Sequence, residues 1–247
     1  MTYNVHSCRG ADGRANPARI AQVIDDCAPD IVALQEVDVG RARTGGIDQA
    51  RAIAAHLRME AHFHPALHLQ EEQYGDAILT SLPSRLVKAG PLPSLGEPRG
   101  AIWTAVDLGG FELHVINTHL GLRRRERMMQ VSALLGPGWL CHHDLQGRPA
   151  VLLGDFNAVP GSAAYRSLSR FWPDVRKGTW RGGATFPSRF PVLRLDHIFA
   201  GPSIRGIDVQ VHSDIRARSA SDHLPLVATI EVAMPVARSE RRAVDGA

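Results

Sequence analysis

The feature that most constrains the fold is a repeated unit in which a short apolar strand ends in a polar cluster. Ile31-Val32-Ala33-Leu34 runs into Gln35-Glu36. Val151-Leu152-Leu153 likewise runs into Gly154-Asp155-Phe156-Asn157. Short apolar runs of this kind are typical of buried strands. A chain built from such units predicts packed sheets whose polar strand ends converge at one edge.

The remaining segments complete an α/β pattern. Helices are predicted at residues 17–26, 47–59 and 123–135, and further strands at 76–82, 101–108, 111–118, 195–200, 207–212 and 226–232. Asn16 is a candidate N-cap of the first helix, and Gly109-Gly110 predicts a hairpin turn. Many short strands with few helices favour an α/β sandwich, in which two mostly antiparallel sheets pack face to face with helices outside.

The composition is sufficient for one sizeable core. The chain has 247 residues, of which 44% are hydrophobic and 21% are charged, close to the average for globular proteins. Neither a repeat nor a linker rich in Gly, Pro or Ser divides it, so residues 1–236 are predicted to form one domain. Residues 237–247 are charged and lack apolar periodicity, which predicts a flexible C-terminal tail.

Cysteine usage and charge indicate the compartment and the kind of partner. The three cysteines are far apart and odd in number, which favours a reducing compartment and offers no CxxC metal site. The chain has neither an apolar run of membrane-spanning length nor a signal peptide at Met1-Thr2-Tyr3-Asn4, so we expect a soluble, cytoplasmic protein. The net charge of +3 is compatible with a phosphate-bearing substrate. The basic cluster at 123–127 is either a solvated helix face or a rim that attracts phosphate.

Oxygen-bearing side chains stand at several strand ends. Asn4 ends the first strand, Glu36 follows another, and Asp222 precedes the last. A carboxylate after an all-apolar strand is costly unless it is paired or bound to a metal. Such oxygen ligands suit Mg²⁺ or Mn²⁺, and the sequence has no zinc-type spacing of Cys and His. For Glu36 taken alone, the alternative interpretation is an ordinary carboxylate in a loop.

Two further motifs combine acidic residues with turn-forming neighbours. Gly154 allows a sharp turn at a strand end, which would aim Asp155 and Asn157 in one direction. The alternative is an Asx-turn that caps a loop. For Ser221-Asp222-His223 the alternative is a capping turn.

Histidines supply the candidate acid–base groups. His119 follows a predicted strand, and His223 lies beside an acidic residue near a strand end. A histidine with a near-neutral pKa can take a proton from water and return one to a leaving oxygen. Such a base needs a carboxylate that fixes its tautomer, and Asp196 is the candidate. Other histidines are interpreted as bystanders in helices or polar loops, namely His56, His62, His64, His68, His142 and His143.

Together these motifs resemble the endonuclease/exonuclease/phosphatase superfamily, whose fold is shared by DNase I, exonuclease III-like abasic-site endonucleases, neutral sphingomyelinases and inositol polyphosphate 5-phosphatases. The resemblance extends from Thr2-Tyr3-Asn4-Val5 to Ser221-Asp222-His223, with the short motifs in the family's order. It implies a four-layered, DNase I-like α/β sandwich. It also implies a hydrolase of phosphate esters that depends on Mg²⁺ or Mn²⁺.

The resemblance further implies a metal site and a water-activating group. Asn4 and Glu36 resemble the ligands of the main divalent metal, with Asp222 nearby as a further ligand. Asp155 resembles the residue that orients or deprotonates the attacking water, or protonates the leaving group.

Other residues are implied to face the phosphate. Asn157 resembles a donor to phosphate oxygens, and His119 resembles a histidine that binds phosphate and acts as a general acid. His223 resembles the general base or phosphate-stabilising group, held by Asp196. Arg99 fits an arginine that faces the phosphate, with a surface position as its alternative.

The sequence departs from the family's pattern in two places, one of which concerns Asp76 and the other the substrate. Asp76 stands where many relatives have asparagine, so it either acts like that amide or pairs with a histidine. Abasic-site endonucleases resemble one another in a lysine two residues after the metal-binding glutamate, whereas this chain reads Glu36-Val37-Asp38. We therefore expect a phosphodiesterase, either a nuclease or a phospholipase/sphingomyelinase-like enzyme. A phosphomonoesterase for a small phosphorylated substrate and a catalytically weak phosphate-binding protein are the alternatives.

Overall fold

The computed structural model describes residues 1–176 and 183–233 and contains two packed sheets. The strands of the first sheet, in spatial order, are β10 (Ile204–Val211), β11 (Leu226–Val232), β1 (Thr2–Asn4), β2 (Ile31–Val39), β4 (Glu72–Thr80) and β3 (Glu60–Leu69). The strands of the second sheet are β5 (Ser84–Leu92), β6 (Arg99–Asp107), β7 (Glu112–His119), β8 (Ala150–Asp155) and β9 (Asp196–Ala200). Paired strands are antiparallel except β1 with β2 and β7 with β8. The predicted tail at 237–247 and the predicted boundary at 236 lie outside the described residues.

Helices cover the outer face of each sheet. The first sheet is covered by α1 (Pro17–Asp25), α2 (Gln49–Leu57) and α5 (Ile215–Ala220). The second is covered by α3 (Arg124–Leu134) and α4 (Ala163–Phe171). A third apolar cluster lies between the sheets and includes Ile78, Ile102 and Val115. The order of layers is therefore helices, sheet, sheet and helices, which confirms the predicted four-layered sandwich.

Local signals in the sequence account for the elements that were predicted. The Asn16 side chain accepts a hydrogen bond from the Arg19 amide at 3.0 Å, and Pro17 follows it at the first helical position. The Gly109-Gly110 pair has φ angles of 78° and 128° and joins β6 to β7. Both positions require the backbone freedom of glycine, and so the hairpin was readable from the sequence.

The elements that were not predicted include two edge strands, β3 and β5, and the helices α4 and α5. The strand β3 carries His62, His64 and His68, so assigning these histidines to helices or polar loops was wrong. Pro65 lies at a register shift in this strand. Edge strands tolerate proline and polar residues because one side of their backbone is unpaired, which weakens the alternating pattern that identifies a strand.

Two polar motifs lie inside strands rather than beyond their ends. Glu36 was expected after a strand ending at Leu34, but β2 continues past it through a bulge, where Glu36 has a φ of 60°. Gly154 was expected to turn the chain at a strand end, yet it belongs to β8. A Cβ there would lie 1.9 Å from the Thr118 carbonyl oxygen, so close approach of β7 requires the glycine.

Buried amides join the two sheets beneath this edge. The side-chain amide of Asn117 donates to the carbonyl oxygens of Leu34 at 2.8 Å and Ala77 at 2.9 Å. Gln35, brought inward by the bulge, donates to the Asn117 side chain at 2.8 Å. Both side chains are fully buried, so these hydrogen bonds fix the relative position of the sheets where the motifs meet.

Candidate active site

The polar strand ends converge on a pocket of about 520 Å³. Its walls include these predicted site residues: Glu36, Arg99, His119, Asp155, Asn157, Asp222 and His223. Asn4 and Asp196 are buried directly behind it and contact wall residues. The structure therefore brings together every residue selected from the sequence.

Asn4 connects the two sheets at the base of the pocket. Its side-chain amide donates to a carboxylate oxygen of Glu36 at 2.9 Å and to Oδ2 of Asp155 at 3.0 Å. Its own oxygen accepts from the His6 amide at 3.0 Å. Since Asn4 belongs to β1 and Asp155 to β8, this one side chain links a motif from each sheet.

The two oxygens of Asp155 have different partners. Oδ1 accepts from the Asn157 amide at 2.9 Å, which is the Asx-turn considered as an alternative. Oδ2 faces Asn4, and it lies 3.4 Å from Nε2 of His119 and 3.6 Å from Nε2 of His223. The turn and a position among the functional side chains are thus compatible, because each uses a different oxygen.

His223 lies between two carboxylates. Its Nδ1 is 2.9 Å from Oδ2 of Asp196, the partner proposed from the sequence, and both side chains are almost fully buried. Burial disfavours the imidazolium, but the negative charges of Asp196 and Asp155 outweigh it and raise the pKa of His223 to about 10. One ligand atom from each of these three residues falls within 4.8 Å of the others. Because Asp196 Oδ2 is hydrogen-bonded to the His223 ring, we interpret the group as an imidazolium between two carboxylates rather than as a metal site.

His119 has the opposite electrostatic environment. Burial, together with the nearby Arg99 guanidinium, lowers the pKa of His119 to about 3. Arg99 Nη1 lies 3.0 Å from Nδ1 of the ring. An arginine only donates, so Nδ1 accepts and a neutral ring carries its proton on Nε2, which faces Asp155. The side-chain nitrogen of Asn157 is a donor as well, so its approach to Nε2 at 3.1 Å is a contact rather than a hydrogen bond, and it donates to the Leu120 carbonyl oxygen at 2.9 Å. His119 is therefore a neutral hydrogen-bond donor near pH 7, which favours phosphate binding over general-acid catalysis.

The Arg99 side chain is buried in the pocket wall, so the surface alternative is wrong. Its Nη1 also contacts a carboxylate oxygen of Glu97 at 2.8 Å.

Deeper in the first sheet, burial raises the pKa of Asp76 to about 8, although the charge of Arg99 opposes the shift. A neutral Asp76 carboxyl has nearly the shape of an asparagine side chain and can donate one hydrogen bond.

Ser221 links the last motif to the first. Its hydroxyl donates to the Asn4 carbonyl oxygen at 2.8 Å and accepts from the His223 amide at 3.3 Å. The segment is therefore a turn after α5, as the capping alternative supposed. The same turn places Asp222 and His223 in the pocket wall.

The chemistry of the donor set fits a divalent cation. Burial raises the pKa of Glu36, and the charges of Asp222 and Asp155 raise it further, while the Asn4 hydrogen bond opposes this shift. Carboxylates close to the half-buried Glu36 repel its negative charge, and a hard cation with oxygen ligands would relieve that repulsion. Glu36 and Asp222 line the pocket, and Asn4 lies beside Glu36, to which it turns its amide nitrogen while its oxygen accepts from the His6 amide.

Several pocket residues were missed in the sequence. Arg43 donates two hydrogen bonds to the buried Asp38 carboxylate, at 2.8 and 2.7 Å, and lies over the Tyr74 ring, 5.4 Å from its centroid. Phe186 packs against His223 with ring centroids 4.9 Å apart. Only Glu97 carried a readable signal, since it lies two residues from Arg99. The others come from loops or other strands and are placed by tertiary contacts.

The two facing sheets with outer helices and a polar pocket at the strand ends define a DNase I-like fold. Solved structures with this fold superpose over most of the chain. An endonuclease/exonuclease/phosphatase from Beutenbergia cavernae has a TM-score of 0.75 and 24% identity, covering 95% of this chain and 71% of that one. A mannosyl-6-phosphatase from Bacteroides thetaiotaomicron has a TM-score of 0.74 and 21% identity, covering 93% and 98%. The human Nocturnin catalytic domain has a TM-score of 0.70 and 19% identity, covering 93% and 91%.

The model of the endonuclease/exonuclease/phosphatase family matches residues 1–223. The chain belongs to this family, whose members hydrolyse phosphoric esters and generally use divalent metals. It is 29% identical over 171 residues to YbhP of Escherichia coli strain K12, an uncharacterized protein. That match covers 66% of this chain and 64% of the relative. Among the described residues, no helix is long and apolar enough to cross a membrane.

Proposed function

We propose that the protein is a divalent-metal-dependent phosphodiesterase. The observation that carries this proposal is the position of Asp155 Oδ2, which lies within 3.6 Å of Asn4, His119 and His223 side chains from both sheets. Such a carboxylate oxygen is positioned to orient a water molecule beside a bound phosphoryl group. Hydrolysis needs this water, a cation and hydrogen-bond donors for the phosphoryl oxygens.

In this proposal Asn4, Glu36 and Asp222 hold Mg²⁺ or Mn²⁺. The ion would neutralise charge on the phosphoryl group and polarise its oxygen. The fit rests on the carboxylate oxygens of Glu36 and Asp222 in the pocket wall and on the raised pKa of Glu36, as expected of a half-buried carboxylate beside other negative charges.

Asp155 orients the attacking water and takes its proton as the water oxygen bonds to phosphorus. The P–O ester bond then breaks, and the leaving oxygen takes a proton from solvent. His223, which Asp196 and Asp155 hold in the imidazolium form, contributes a positive charge and a hydrogen bond to the phosphoryl group. His119 and Asn157 donate to non-bridging oxygens from the other side, and Arg99 lies behind His119. These donors stabilise the developing charge of the transition state more than the ground state.

The substrate is proposed as a diester, in nucleic acid or in phospholipid, because the pocket of about 520 Å³ has space beyond one phosphate group. A small phosphorylated monoester is the second candidate, since the same catalytic groups serve both ester types. The free cysteines Cys8, Cys27 and Cys141 support a reducing compartment, and we propose the cytoplasm.

A substrate panel with Mg²⁺ or Mn²⁺ tests the proposal. It includes bis-p-nitrophenyl phosphate, p-nitrophenyl phosphate, single- and double-stranded DNA, RNA, sphingomyelin, glycerophospholipids and inositol phosphates. We expect cleavage of the synthetic diester that is lost with EDTA and in Glu36→Ala, but retained in Glu60→Ala, an exposed control. Full activity in EDTA would refute the metal dependence. Cleavage of monoesters alone would instead support the second candidate, and phosphate binding without turnover would support a binding protein.

A further inference from the structure

The loop formed by residues 185–195, here called the rim loop, exposes apolar side chains beside the pocket. Phe190 and Val192 are 80% and 74% exposed. Leu122, on a separate loop, is 74% exposed and lines the pocket. On the rim loop itself, Phe190, Val192 and Leu193 lie within four residues of one another and are all exposed, and soluble surfaces rarely group large apolar side chains in this way without an interaction partner.

The exposure is not a consequence of a poorly anchored backbone. The Ser188 amide donates to the Asp222 carbonyl oxygen at 2.7 Å, and its hydroxyl donates to the Ser221 carbonyl oxygen at 2.7 Å. Arg218 donates to the carbonyl oxygens of Ser188 at 3.2 Å and Arg189 at 3.0 Å. The rim loop is therefore held directly on the Ser221-Asp222-His223 segment, with its apolar tip facing outward.

Basic side chains accompany the apolar tip. Arg189 is exposed next to Phe190, and Arg123, Arg124 and Arg125 are exposed directly after Leu122. Protruding apolar residues flanked by arginines match a bilayer, since the apolar groups enter the acyl region while the guanidinium groups meet anionic headgroups. The same positive charges would repel each other across an interface between two copies of the chain.

The residue types at the apolar tip also favour a lipid bilayer over a nucleic acid as the partner. Proteins that grip single strands use successive aromatic rings on which bases stack. Here Phe190 is accompanied by the aliphatic residues Val192, Leu193 and Leu122, which offer no stacking surface. We propose that the rim loop docks on the surface of anionic phospholipid bilayers and holds the pocket at the interface.

Vesicle sedimentation tests this docking, using phosphatidylcholine vesicles with and without phosphatidylglycerol. The test variant is the double substitution Phe190→Ser and Val192→Ser, neither of which lines the pocket. The matched control is Leu86→Ser with Ile207→Ser, which are 49% and 53% exposed on strands away from the pocket. We expect the wild-type chain to bind the anionic vesicles and the test variant to bind at least about tenfold more weakly, whereas the control stays within about twofold.

The outcomes that overturn the docking are distinct from failure of the proposed hydrolase. Vesicle binding is measured in EDTA and also with Asp155→Ala, so the measurement does not depend on turnover. The test variant should hydrolyse bis-p-nitrophenyl phosphate like the wild type. Absence of vesicle binding, equal binding by the test variant, or equal binding to phosphatidylcholine alone would each refute the proposal. Binding of the wild type to single-stranded DNA but not to vesicles would assign the tip to nucleic acid. A dimer that the double substitution abolishes would assign it to a second copy.

Discussion

Two histidines of the pocket wall, His119 and His223, have the same side chain but different electrostatic environments. His119 lies beside the Arg99 guanidinium, and its pKa is lowered to about 3 by burial and by that charge. His223 lies between Asp196 and Asp155, whose charges outweigh burial and raise its pKa to about 10. At neutral pH the first is a neutral donor and the second is a cation.

This difference shows that the partner, rather than the residue type, assigns each histidine its role. Both rings are almost fully buried, so burial lowers the pKa of each of them. The sign of the neighbouring charge then decides the outcome. Asp155 lies between the two rings, and its Oδ2 is the atom that both Nε2 atoms approach.

Removing the shared carboxylate should have the largest effect. For Asp155→Ala we expect kcat for bis-p-nitrophenyl phosphate to fall by about 10⁴, the upper range for losing a general base, because both histidines also lose a common partner. Asp208→Ala, an exposed carboxylate on β10, serves as the control. If Asp155→Ala keeps more than about a tenth of the wild-type kcat, the central role of this oxygen is wrong.

Neutralising the partner of His223 should make the two histidines more alike. In Asp196→Asn the negative charge of the carboxylate beside Nδ1 of His223 is lost, so the pKa of His223 falls and kcat decreases by about 10³. The ring pKa is followed by NMR titration of the imidazole, with His56→Ala as an activity control on the exposed face of α2. An unchanged His223 pKa would show that Asp196 does not determine its charge.

Removing the Arg99 guanidinium beside His119 tests what causes the low pKa of this histidine. For Arg99→Met we expect the pKa of His119 to rise from about 3, because the charge of Arg99 no longer adds to burial in lowering it. Activity should fall by about 10²–10³, typical of disturbing one phosphate-binding donor. Arg85→Met, on an exposed ion pair with Glu112, is the matched control. A His119 pKa that stays near 3 would contradict the assigned cause.

The smallest expected effect concerns stability at Asp76. Burial raises its folded-state pKa from 3.8 to about 8, so between these values the folded state holds a proton that the unfolded state has lost. The contribution of Asp76 to the free energy of unfolding therefore falls as pH rises from 3.8 to about 8. Asp76→Asn should have a higher Tm than the wild type by an amount that grows from pH 4 towards pH 8.

This stability difference is measured by thermal unfolding in EDTA, which keeps divalent cations from shifting the carboxylates. Asp208→Asn, an exposed substitution, should show a Tm difference that does not vary with pH. A constant difference for Asp76→Asn as well would mean that Asp76 is ionised in the folded protein. Near wild-type activity in Asp76→Asn would support the amide-like role.

Local patterns made the central elements and many residues of the pocket predictable. Apolar runs such as Val151-Leu152-Leu153 identified buried strands, and the Asn16-Pro17 pair identified a helix start. Each of these depends on neighbours within one turn or one strand. The edge strands β3 and β5 lacked such a pattern, because their exposed sides admit polar residues and proline.

The sequence by itself determined which polar residues follow the buried apolar runs, because those runs are local. Only the tertiary structure decided their chemical states and partners. The bulge at Glu36, the division of the Asp155 oxygens between a turn and the pocket, and the arginine beside His119 all arise from contacts between distant segments. Electrostatic interactions depend on distance in space, and so the charge of a histidine cannot be read from its position in the chain.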